Sequence, residues 1–221
     1  MLHNTFCRRL AALVLTLAVA VSAVLPVFAV YPMPIQTATE TEAVYLFNAD
    51  TGKTLLTQNA DQPRYVASLT KMMTALLLLE SGKDLNGEVT VPTDLTQEFK
   101  DIQNANGTTM GLRIGETVRR IDLLNALLIT SANDAASVIA WDVGGSLNAF
   151  IQQMNARAAE LGCTSATFTC AHGLYDYGNV ASAEDMAKIA AACAANETFA
   201  QVAGSTTSTQ GQTKFHSEQR T

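Results

Sequence analysis

The chain has 221 residues, 48% of them hydrophobic and 15% charged, with a formal net charge of −6. That length suits one domain, or one and a half. An acidic balance argues against nucleic acid as a partner, because phosphate binding needs a basic surface.

Residues 1–29 read as an export signal. Arg8 and Arg9 form a basic start, Leu10 to Val27 is almost wholly apolar, and Val27-Phe28-Ala29 is a small-x-small cleavage site. The apolar run is nearly long enough for a membrane anchor. Pro26 and the cleavage pattern favour removal, so membrane contact is expected only through the export signal. Residues 30–42 are rich in Pro and Thr and read as a flexible leader.

Residues 43–205 carry the patterned part of the chain. Val44 to Phe47 and Thr54 to Gln58 are strand-like, and Asn48 to Gly52 joins them as a hairpin turn. Asp61-Gln62-Pro63 ends that pattern. The run SLTKMMTALLLLESG then predicts a helix from Ser68, apolar on most of its circumference and therefore central and buried, with Gly82 as its stop.

Ser68 and Lys71 stand three residues apart on this helix and share a face. A serine hydroxyl is a weak nucleophile without a neighbouring base. A lysine amine can be that base when burial lowers its pKa. A helix start also aims N–H groups at whatever the serine attacks. Alone, S-x-x-K is a weak signal, and a capped helix with a surface lysine reads equally well.

Residues 83–118 are mixed, with a strand-like piece at Val89-Thr90-Val91 and a glycine-containing stretch from Gly107 to Gly115. Ile121 to Thr130 predicts a second apolar helix. Ser131-Ala132-Asn133-Asp134 connects it to a third, which runs to Trp141. Ser131 and Asn133 are either presented from this connection or simple helix caps. Ser146 caps a fourth helix that Gly162 ends. A loop over residues 163–181 contains His172-Gly173-Leu174. Ser182 and Asp185 open a fifth helix in a capping-box arrangement. Val202 to Thr209 reads as a Thr-rich strand, and residues 206–221 as an unstructured tail.

Cys163, Cys170 and Cys193 follow the export signal. An odd count argues against a disulfide framework, although Cys163 and Cys170 could pair in an oxidising compartment. No Cys/His cluster has metal-ligand spacing, so neither a metal nor another cofactor is expected.

The segments YVASLTKMMTALL, LLITSANDAASVIA, AHGL and ASAEDMAKIA, in this order after the hairpin, resemble the serine D-alanyl-D-alanine carboxypeptidases, the low-molecular-mass penicillin-binding proteins. The resemblance implies an α/β (α+β) penicillin-binding/β-lactamase-like transpeptidase fold, with a helical subdomain beside an antiparallel sheet. It implies that Ser68 attacks the bond between two terminal D-alanines of a peptidoglycan stem peptide. Lys71 would accept the serine proton, Ser131 would relay it, and Asn133 would bind the substrate amide. β-Lactam antibiotics would acylate the same serine. His172 matches the family's H-G-L loop and is expected to serve that loop structurally. An exported protein of the cell envelope follows.

The family's third motif, K-T-G, is absent from the 221 residues. With it would go a cation for the substrate carboxylate and a second oxyanion N–H. The sheet is therefore expected to be incomplete, and the sequence to be a partial catalytic domain of low activity. Two rival readings are a non-catalytic exported scaffold that binds cell wall, and a serine β-lactamase. No glutamate motif after S-x-N stands out to position a deacylating water for the latter.

Overall fold

The computed structural model describes residues 41–174 and 176–205. The export signal, all of the leader except Thr41 and Glu42, and the tail at 206–221 lie outside the described residues.

The hairpin forms where the sequence placed it. Strands β1 (Val44–Phe47) and β2 (Thr54–Gln58) pair antiparallel, with Val44 opposite Gln58 and Leu46 opposite Leu56. The turn closes on Asn48, whose carbonyl accepts from Gly52 N and whose side chain accepts from Thr51 N. A two-residue strand β3 (Arg64–Tyr65) then leads into the serine segment.

Helix α1 (Thr70–Glu80) is preceded by a single 3-10 turn, Ala67–Leu69. Ser68 thus lies in that turn rather than in the α-helix proper. The tighter winding stacks residues three apart almost directly, which aligns Ser68 with Lys71 more closely than an α-turn would. Strands β4 (Glu88–Thr90) and β5 (Thr117–Arg119) pair with each other. Between them lies helix α2 (Thr96–Asn104), which the sequence reading missed. Its sequence is mostly polar, with only Phe99 and Ile102 turned inward, so it lacks the apolar run that marked the other helices.

Helices α3 (Arg120–Ile129) and α4 (Asn133–Gly144) are joined by Thr130-Ser131-Ala132. Helix α5 (Leu147–Glu160) begins at Ser146, whose side chain accepts from Ala149 N. Strand β6 (Val180–Ala181) pairs with β3. Ser182 caps α6 (Ala183–Ala194) by accepting from Asp185 N. Helix α7 (Glu197–Ala203) corrects the strand expected from Val202: Asn196 accepts from Phe199 N at its start, and Val202 is buried on its inner side. The part of that expected strand at 206–209 lies outside the described residues.

Helix α1 packs against α3, α4, α5, α6 and α7. Met73, Ala75, Leu76 and Leu78 of α1 meet buried Leu123, Leu124, Val138, Ile139, Phe150, Met154 and Ile189. Each large apolar side chain buried this way contributes about 1.5–3 kcal/mol before chain entropy is counted. An apolar circumference is what a helix surrounded by five others requires. The first turn of this central helix is therefore held rigidly.

Among the described residues the strands form three separate two-stranded antiparallel sheets. No helix among them is long and apolar enough to cross a membrane. Cys163, Cys170 and Cys193 are all free thiols, so the pairing considered for Cys163 and Cys170 is not formed.

Candidate active site

Four polar side chains converge from two chain turns. Lys71 Nζ lies 3.3 Å from Ser68 Oγ, 2.8 Å from Asn133 Oδ1 and 2.6 Å from the His172 carbonyl. Ser131 Oγ donates to Ser68 Oγ at 3.1 Å. Ser68 is exposed, whereas Lys71 is only 3% exposed and Asn133 is buried. Burial pulls the Lys71 amine down from 10.5 to about 8.

Lys71 Nζ donates to Asn133 Oδ1 and the His172 carbonyl, two oxygens that can only accept, and its third position faces Ser68 Oγ. The protonated amine fills that position with a third N–H; loss of one proton leaves a lone pair there. The neutral amine, reached as pH rises past about 8, can then take a proton from the Ser68 hydroxyl.

Local backbone geometry brings these groups together. Ser131 has φ 57 and Ala67 has φ 45, both in the left-handed region that non-glycine residues avoid. Neither Ser131 nor Asn133 caps a helix: α4 has Ala132 as its N-cap, with no side-chain cap bond. Asn133 is instead fixed by Thr108, whose carbonyl accepts from both the Asn133 backbone N (2.8 Å) and Nδ2 (2.9 Å). Asp134 holds the same loop by accepting from the N–H groups of Met110, Gly111 and Leu112, each at 3.0 Å.

The His172-Gly173-Leu174 loop packs along α1. Thr74 Oγ1 donates to the Ala171 carbonyl at 2.6 Å, and Asn179 Nδ2 donates to Thr70 Oγ1 at 2.8 Å. Gly173 has φ +79, and a Cβ there would fall 1.8 Å from the Ala67 carbonyl oxygen. Only glycine lets the loop approach the turn that carries Ser68. His172 contributes its backbone carbonyl to Lys71, while its ring Nε2 lies 3.0 Å from Glu98 Oε1. Hydrogen bonding from His172 holds the Glu98 carboxyl below its ordinary range.

Ser68, Lys71 and Ser131 line a cleft of about 350 Å³ with Val66, Leu69, Leu127 and Leu128. Among the described residues, no group of three or more His, Cys, Asp or Glu side chains is arranged to hold a metal ion.

A model of the D-alanyl-D-alanine carboxypeptidase family (peptidase S11) matches residues 31–219. The chain belongs to the D-alanyl-D-alanine carboxypeptidase family. It is 33% identical over 153 residues to the D-alanyl-D-alanine carboxypeptidase DacF of Bacillus subtilis, covering 69% of this chain and 39% of the relative. It is 32% identical over 175 residues to a D-alanyl-D-alanine endopeptidase of Pseudomonas aeruginosa, covering 79% and 54%. The crystal structure of the Streptomyces K15 DD-transpeptidase is similar to it at 32% identity with a TM-score of 0.66, over 72% of this chain and 62% of that one. The chain thus spans about half or less of the length of these curated relatives. The α/β penicillin-binding DD-peptidase fold expected from the sequence is borne out by these structural neighbours.

Within this carboxypeptidase-family chain, sequence reasoning missed Glu98, the Thr108 carbonyl and the role of Gly173. Glu98 sits in a polar run with no motif around it. Gly107 lies beside Asn133, where a Cβ would fall 2.8 Å from Asn133 Nδ2.

Proposed function

We propose that these residues carry the nucleophile side of a serine-type D-Ala-D-Ala carboxypeptidase. Ser68 Oγ attacks the carbonyl between the terminal D-alanines of a peptidoglycan stem peptide while Lys71 takes its proton. Ser131, within hydrogen-bond reach of Ser68, relays a proton to the departing D-alanine amine. Asn133 keeps Lys71 in place through Oδ1 and offers its second Nδ2 proton to the substrate amide. Water then hydrolyses the acyl-enzyme. β-Lactams acylate Ser68 by the same attack. The protein works on the exported side of the membrane, consistent with the signal-like residues 1–29.

The observation that carries this reading is the Lys71 amine, buried, with two carbonyl acceptors at 2.8 and 2.6 Å and Ser68 Oγ as its third neighbour at 3.3 Å. K-T-G, which in the family faces this side of the cleft, is not among the 221 residues. One oxyanion donor is typically worth about 2.7–4 kcal/mol in the chemical step. Acylation by these residues alone is therefore expected to be slow.

The test is penicillin labelling of the purified chain, read by intact mass and peptide mapping. The expected adduct is on Ser68. It is absent from Ser68→Ala, whose circular dichroism is unchanged. An adduct that survives Ser68→Ala removes Ser68 as nucleophile. A folded chain with no adduct favours the scaffold, and rapid loss of the adduct favours a β-lactamase.

A further inference from the structure

Lys71 is aimed by two oxygens from separate parts of the chain. Asn133 Oδ1 belongs to the first residue of α4, and the second oxygen is the carbonyl of His172 in the loop before β6. The spacing of these two oxygens sets where the third position of the amine points, and therefore how it meets Ser68 Oγ.

Glu98 of α2 joins the two parts through one atom. Its Oε1 accepts from Ser137 Oγ at 2.9 Å and lies 3.0 Å from His172 Nε2. Ser137 stands one turn beyond Asn133 on α4, and its Oγ is also 3.3 Å from the Asn133 carbonyl. On the other side the ring proton can be placed. Leu174 N donates to His172 Nδ1 at 3.0 Å, so Nδ1 is the acceptor and Nε2 carries the proton that Glu98 receives. His172 is thereby held at three points: its carbonyl by Lys71, Nδ1 by Leu174 and Nε2 by Glu98. The ring is buried. Without Glu98 its N–H must turn to find another acceptor, and the carbonyl of the same residue moves with it.

Helix α2 reaches Asn133 by a second route. Gly107 N donates to the Ile102 carbonyl at 2.9 Å, which ties the Thr108 loop to this helix, and the Thr108 carbonyl holds Asn133. Glu98 itself lines a different cleft, of about 390 Å³, that shares no lining residue with the Ser68 cleft. Its effect on Ser68 therefore runs through Lys71 and the oxygens that hold it.

We propose that Glu98 is a positioning residue for Ser68 acylation, a bridge whose Oε1 sets the spacing of the two oxygens that hold Lys71. The assignment rests on the carboxypeptidase reading. Both bonds fall on one oxygen, so the bridge needs an acceptor at that place and not a negative charge. A glutamine amide oxygen supplies that acceptor, and alanine does not.

The test is a penicillin concentration series on the folded full chain and its variants. Glu98→Ala is expected to lower the limiting acylation rate about 10–100-fold, the usual loss when a supporting contact of a reactive group is removed. The half-saturating penicillin concentration should stay the same. Glu98→Gln is expected to recover most of the rate, and Ser137→Ala, which keeps the His172 bond, to lose less than Glu98→Ala. Should Glu98→Ala fail to fold, Glu98→Leu fills the space without an acceptor and takes its place. A wild-type rate in the variant without an acceptor, a change confined to half-saturation, or Glu98→Gln as slow as Glu98→Ala overturns the bridge. A second readout needs no acylation: NMR of lysines carrying ¹³C at Cε, with the Lys71 signal assigned by Lys71→Arg. Its midpoint is expected near about 8 in the chain, displaced in Glu98→Ala and restored in Glu98→Gln. A chain that never acylates penicillin counts against the carboxypeptidase reading, and the Lys71 midpoint then decides the bridge alone: displacement in Glu98→Ala upholds it, and an unchanged midpoint overturns it.

Discussion

The β1–β2 hairpin and the helical cluster around α1 are held by different means. No residue of β1 or β2 is fully buried, and Leu46 and Leu55 stay 38% and 56% exposed. The hairpin rests on α6 through β1. A two-stranded hairpin is marginal on its own, so that support matters. By contrast, α1 is enclosed by five helices, and its first turn is tied to the Thr108 and His172 loops through Lys71 and Asn133. The four convergent polar residues depend on the enclosed region. Among the described residues, none of them contacts the hairpin by a hydrogen bond, and the hairpin's integrity is a separate matter from their geometry.

This contrast can be broken or sharpened by experiment. The largest effect is expected at Lys71. Lys71→Ala should slow penicillin acylation of Ser68 by about 10²–10⁴, the usual range for a general base. The base acts unprotonated, and burial sets its pKa near about 8. Acylation should therefore climb as pH rises toward that value and level off above it. A stopped-flow or gel-fluorescence pH series would show this dependence, and Lys71→Ala should lack it. An unchanged rate would separate the enclosed cluster from any role in acylation.

Next is Asp134→Ala. It removes four backbone hydrogen bonds to a buried carboxylate and should cost roughly 3 kcal/mol, read as a lower urea midpoint. It should also loosen Thr108 from Asn133. Gly173→Ala drives a Cβ into the Ala67 carbonyl and forces a left-handed φ on alanine. A loss of about 2–3 kcal/mol is expected by denaturation, since the loop must retreat from the Ser68 turn. Leu55→Lys, on the exposed side of the hairpin, should change stability by no more than about 0.5 kcal/mol. A large loss there would mean that this side of the hairpin is covered, and the contrast between the two regions would fail.

Much of the helical region was legible because its signals are local. Ser146 and Ser182 cap where they were expected to, and Gly82 and Gly162 take the positive φ values of helix stops. The hairpin strands have the boundaries read from alternation and turn residues. Helix α2 was not read, since its inner side amounts to Phe99 and Ile102 within an otherwise polar run. Helix α7 was misread because threonines beyond it suggested a strand. Ser131 and Asn133 were ambiguous in sequence, because presented residues and helix caps are drawn from the same side chains.

By itself, the sequence determined which residue types stand at helix turns and in what order, since capping, periodicity and motif spacing act over a few neighbours. It therefore supplied Ser68, Lys71, Ser131 and Asn133 as candidates. Only the tertiary structure decided what Lys71 is. Its low pKa comes from burial, and its orientation from Asn133 and the His172 carbonyl, 62 and 101 positions away in the chain. Desolvation and long-range hydrogen bonds exist only after α1 is surrounded. The His172–Glu98 contact has the same origin: it joins residues 74 positions apart, and no local pattern announces it.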